Sequence, residues 1–83
     1  TMIEGRIKKV DVARRTAVIT TEDERDITIT FPERVNIEVA ELETMGTMGG
    51  ELADLQEGYY VEVEVAAQDA DGRWSCDSLV CVS

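Results

Sequence analysis

The sequence predicts an all-β fold: a small five-stranded OB-like barrel with one short helical turn before its fourth strand. Three observations carry this expectation. Strand-forming runs with two-residue alternation recur along the chain, separated by polar or Gly-containing turns. The longest gap between strands holds a single Leu-containing helical turn. A barrel also closes its own sheet edges, which suits a chain of only 83 residues. An SH3-like barrel is the nearest competing architecture.

The first strand starts at an unusual place. Ile3-Glu4-Gly5-Arg6 spells the recognition site of a common tag-removing protease, and Thr1 precedes Met2 as a cloning remnant would. Yet Ile3, Gly5 and Ile7 alternate with Glu4, Arg6 and Lys8, so one strand face runs straight through the site. A scar has no reason to match the period of the residues after it. These residues are therefore read as strand, within one domain spanning residues 1–83 in which only Thr1 is foreign. Val10 resumes the apolar face after a slip at Lys9, and Asp11 opens the turn. Gly5 fits a bulge or tight coiling of the strand.

The second and third strands form a hairpin. Residues 16–21 are rich in β-branched side chains, and Ile27, Ile29 and Phe31 share one face of the next run. The polar stretch Glu22-Asp23-Glu24-Arg25 turns between them. Residues 32–57 are harder to read. Val35, Ile37 and Val39 fit a short strand, whereas Val35, Val39 and Leu42 fit one face of a helix. A short strand with an irregular continuation is expected. Thr44-Met45-Gly46 repeats at once as Thr47-Met48-Gly49, which reads as a flexible loop. Residues 51–55 read as a helical turn packing Leu52 and Leu55 downward. Tyr59, Val61, Val63 and Val65 then face inward on the fourth strand, with Tyr60, Glu62 and Glu64 outward. Asp69-Ala70-Asp71-Gly72 makes the last turn, and residues 73–82 return as a strand whose alternation slips near Asp77-Ser78, the mark of a bulge.

The pattern Gly5-x-Ile7-x-x-Val10-Asp11, then Leu52-Ala53-Asp54-Leu55-x-x-Gly58-x-x-Val61-x-Val63, then Asp71-Gly72-Arg73, covers most of the chain. It resembles a group of small bacterial OB-fold domains of unknown function, often found as one or several copies in exported or envelope proteins. The resemblance implies a barrel with a binding or structural role and no catalytic residue. This chain departs from the pattern in its longer Met/Gly loop and its two cysteines.

Cys76 and Cys81 lie five positions apart, so a regular strand points them to opposite faces about 16 Å apart, too far for a disulfide. Free thiols lean towards a reducing, cytoplasmic compartment and the resemblance leans towards export, which leaves localisation open.

Charge narrows the function classes. The net charge is −10, yet residues 1–34 balance seven basic against seven acidic groups. Residues 35–83 carry eleven acidic groups against Arg73 alone. Such a half repels nucleic acid and anionic membrane surfaces. There is no His, and no nucleophile with a base to activate it, so no enzyme activity and no cofactor are expected. Asp69-x-Asp71-Gly72 lacks the spacing of a calcium loop, and Glu22, Asp23, Glu24 and Asp26 read as a solvated turn. The candidate binding residues are the cations Arg6, Lys8, Lys9, Arg14 and Arg15, together with Tyr60 and Trp74. They point to an acidic protein partner or to head-to-tail self-association. The alternative is single-stranded nucleic acid or an oligosaccharide on the first hairpin, although that stretch has no aromatic platform for base stacking.

Overall fold

In the computed structural model, which describes residues 1–83 throughout, seven strands form one sheet. They are β1 (Met2–Asp11), β2 (Thr16–Thr20), β3 (Asp26–Thr30), β4 (Asn36–Glu41), β5 (Gly46–Gly49), β6 (Tyr60–Gln68) and β7 (Trp74–Cys81). The order is β3-β2-β1-β6-β7-β4-β5, and a further parallel pairing of β3 with β7 closes the ring. The result is a closed five-stranded barrel, β1-β2-β3-β7-β6, consistent with the expected OB-like architecture. Strands β4 and β5 stand outside it. Strand β4 continues the course of β3 along the same edge of β7, pairing in parallel at Asn36↔Ser78 through Val39↔Cys81. A single 3₁₀ turn, Leu52–Asp54, precedes the barrel's fourth strand, β6.

Alternation sets the core. Ile3 and Ile7 from β1, Ile19 from β2, Ile29 from β3, Val61, Val63 and Val65 from β6, and Leu79 from β7 are buried, joined by Phe31, Leu52 and Leu55. No polar or charged residue is buried, and no buried side-chain polar atom lacks a partner. Each fully buried Ile, Leu or Val removes enough apolar surface from water to contribute about 1.5–3 kcal/mol. The turn at residues 51–55 seals the barrel's end. The Asp54 carboxylate accepts a hydrogen bond from the Glu51 N–H (2.8 Å), fixing the turn that drives Leu52 and Leu55 inward.

Bulges adjust the phase of three strands. On β1, Lys8 is the extra residue between Ile7↔Ile19 and Lys9↔Val18, one position before the expected slip. On β7, Asp77 is extra between Cys76↔Val65 and Ser78↔Glu64, at the expected place, and β6 answers with an extra residue at Ala66. The Asp77 bulge corrects one expectation. A shift of one residue returns Cys81 to the same side as Cys76, and both thiols are buried in the core. Burial pushes Cys76 up to about 12, Asp77 adding to the shift, and raises Cys81 as well, so both stay protonated and weakly reactive at neutral pH.

A second expectation is corrected in the Met/Gly repeat. Residues 46–49 are not a loop but strand β5, paired with β4 from Glu41↔Gly46 to Glu38↔Gly49. The glycines give no strand propensity of their own. The pairing is templated by β4, whose other edge is held by β7.

Candidate functional site

The five cations of the first hairpin are largely occupied by neighbours. Arg15 is a brace for the fold. It sits at positive φ (54°) at the end of the β1–β2 turn and is half-buried. Its Nε donates to the Phe31 carbonyl (2.8 Å) and its Nη2 to the Pro32 carbonyl (2.9 Å), fastening the turn to the segment that leaves β3. Lys8 pairs with Asp26 (2.6 Å) and Arg14 lies 3.9 Å from Asp11. The Lys8 bond, helped by the Thr20 hydroxyl, holds the Asp26 carboxyl below the usual carboxylate range. Lys9 makes no ion pair. Two of the five charges are thus paired with carboxylates, while Arg6, Lys9 and Arg15 keep their positive charge.

Arg6 and Tyr60 are brought together. They face each other across the β1–β6 ladder, with the guanidinium 5.5 Å from the ring centroid and donating to the Gly58 carbonyl (2.9 Å). With Gly5, Thr20, Thr21 and Glu22 they line a shallow groove of about 320 Å³. Burial, with Glu4, Glu22 and Glu62 nearby, raises the Tyr60 phenol above its ordinary value. Trp74 is elsewhere. It pairs with Gln68 and Ile29 and packs, half-buried, on the edge of the core. The far end of β7, where β4 pairs, is about 23 Å away along the strand. Trp74 therefore does not share a surface with Met45 and Met48. The β2–β3 face presents Thr16, Val18, Thr20, Thr28 and Thr30 and carries no exposed aromatic ring.

The largest apolar exposure lies on the β4–β5 hairpin, outside the candidate binding residues read from the sequence. Leu42 is 84% exposed, Met45 88% and Met48 55%. At its base Val39, Ala40, Leu42, Tyr59, Cys81 and Val82 line an apolar groove of about 300 Å³. The register explains why this surface is apolar. Gly5, Val61, Cys81, Val39 and Met48 stand opposite one another on successive strands, one row crossing from the barrel core to the open edge. Burial fades along it, from Val61 and Cys81, which are buried, through Val39, half-buried, to Met48. On the other face the row is Glu4, Glu62, Val80, Glu38 and Gly49, which is predominantly acidic. No Lys or Arg occurs between residues 35 and 72. The sequence signal for this site was the alternation of Val35, Ile37 and Val39; what it could not give was the partner strand that carries the row outward.

No group of three or more metal-ligating side chains is gathered anywhere, and no helix is long and apolar enough to cross a membrane. Comparison with protein-family models, curated proteins and solved structures finds no match.

Proposed function

We propose that this domain is a non-enzymatic binding or assembly module that works through protein contacts, with the β4–β5 hairpin as its contact surface. The observation that carries the reading is the concentration of Leu42, Met45 and Met48 on a hairpin that stands outside a closed, fully packed barrel. Exposed apolar clusters of this kind mark protein interfaces, and Met-rich surfaces adapt to varied partners. The resemblance to small bacterial OB-fold domains supports the same class of role. The pairing of Lys8 and Arg14 with carboxylates, and the commitment of Arg15 to the fold, weigh against both a nucleic-acid surface and strong head-to-tail charge pairing between copies.

Two measurements test the reading together. Light scattering across concentration and salt reports self-association. Affinity capture compares the native chain with a Leu42→Asp/Met45→Asp variant, and each protein retained only by the native chain is purified and titrated directly. A discrete oligomer or a direct binder lost in the variant is the expected result. A strict monomer whose capture profile matches that of the variant would overturn the proposal.

A further inference from the structure

We propose that the outer edge of β5 accepts an extended segment of a partner protein as an added strand, and that this segment alternates apolar with Lys or Arg side chains. The inference rests on the protein-contact reading above and deepens it by naming the edge and the chemistry of the occupant. Strand β5 ends the sheet order and pairs only with β4. The Gly50 N–H donates to the Ile37 carbonyl (2.9 Å), and these two residues stand directly opposite in the same register. Hydrogen-bonded pairs alternate in an antiparallel ladder, so Met48 and Gly46 also bond towards β4. The N–H and C=O groups of Thr47 and Gly49 therefore face outward, free to pair with another strand.

The two faces of the sheet specify the side chains of that strand. On the inner face, a residue opposite Met48 extends the row Val61, Cys81, Val39, Met48, and an apolar side chain there covers the exposed thioether. On the outer face, a residue opposite Gly49 lies beside a position with no side chain. A long cation there reaches across the glycine to Glu38, with Glu41 and Glu43 on the same hairpin adding attraction. A second copy of this chain is a poorer occupant, because edge-to-edge pairing brings two acidic hairpins together on bodies that each carry a net charge of −10.

The probe is a capped Val-Lys-Val-Lys-Val-Lys peptide, titrated into the intact domain while backbone amide resonances are followed. Expected are saturable shifts centred on Thr47, Met48 and Gly49, binding at least about fivefold weaker in about 0.5 M salt, and none with the matching Val-Glu peptide. Thr47→Pro removes an outward N–H without touching the β4 ladder, so it should abolish binding while thermal unfolding shows the fold retained. Shifts centred on Arg6 and Tyr60 or on β2–β3, no shifts at all, or unchanged binding in Thr47→Pro would each overturn the inference. So would a dimer joined through β5. A negative titration leaves the capture experiment above standing, so the two proposals fail separately.

Discussion

At Gly5 a single hydrogen atom decides how closely β1 can approach β2. A Cβ there would fall far inside contact distance of the Thr20 carbonyl oxygen and 2.8 Å from Ile19 Cγ2. The first obstacle is backbone and cannot rotate away. Gly5→Ala should therefore cost about 3 kcal/mol, read as a lower midpoint in urea denaturation with little change in slope. The glycine inside a protease-like motif is a structural requirement of the barrel, and the period-two pattern around it was the visible sign. Cys76 makes a second residue-scale prediction. Its folded value is pushed up to about 12, whereas an unfolded thiol titrates near about 8.5. The protonated thiol thus contributes stability that is complete below about pH 8.5 and is lost as pH rises towards 12. Each unit in that window should remove about 1.4 kcal/mol. Thermal melts from neutral to alkaline pH should fall more steeply for the native chain than for Cys76→Ala. Equal slopes would rule the linkage out.

At the scale of elements, one turn device recurs. All four hairpins carry a residue at positive φ at the last or next-to-last position of the connection: Arg15 (54°), Glu24 (62°), Met45 (62°) and Gly72 (84°). The left-handed residue closes the reversal in a way that matches strand twist, and only Gly72 adopts it without cost. Glu24→Gly and Met45→Gly should each stabilise the fold by up to about 1 kcal/mol, and Gly72→Ala should destabilise it by a similar amount, all by thermal denaturation. Arg15 has a further role, because its side chain braces two carbonyls. Arg15→Gly loses the brace but relieves the backbone, whereas Arg15→Ala loses the brace and keeps the strain. The alanine variant should be the less stable of the two, and the reverse order would show that the turn is unstrained. These devices mark how far the sequence could be read. Alternation disclosed β1 to β4, β6, β7 and the Asp77 bulge, since one-sided burial imposes period two. It could not disclose β5, because Gly-Thr-Met-Gly carries no period and is a strand only by pairing with β4. Nor could it show that Arg15 is committed to Phe31 and Pro32, since that contact depends on how β3 exits the barrel.

On the scale of the whole molecule, closure divides β1 between two neighbours. It pairs with β2 through Arg6↔Thr20 and with β6 through Met2↔Glu64 to Arg6↔Tyr60, and the Ile7 N–H donates to the Tyr59 carbonyl (2.8 Å). The sequence Ile3-Glu4-Gly5-Arg6 is therefore paired along its whole length with β6, and with β2 at Arg6, with Ile3 and Ile7 in the core. A protease that recognises these four residues needs them as an accessible extended segment, with backbone groups free to pair in its cleft. Releasing residues 2–6 breaks the β1–β6 ladder, undoes the Arg6↔Thr20 pairing and takes Ile3 out of the core, so the segment is held closed in the folded chain. The native chain should resist the tag-removing protease under conditions in which a peptide of residues 1–10 is cut rapidly. When cleavage is slow relative to refolding, its rate should track the unfolded population. Sub-denaturing urea should then accelerate cutting after Arg6 in proportion to the equilibrium constant measured by denaturation. Gly5→Ala alters the recognition sequence itself, so Ile19→Ala is the cleaner destabilised comparison, and it should be cut at least about tenfold faster. Cleavage of the native chain at the peptide's rate would mean that residues 3–6 are not held against β6.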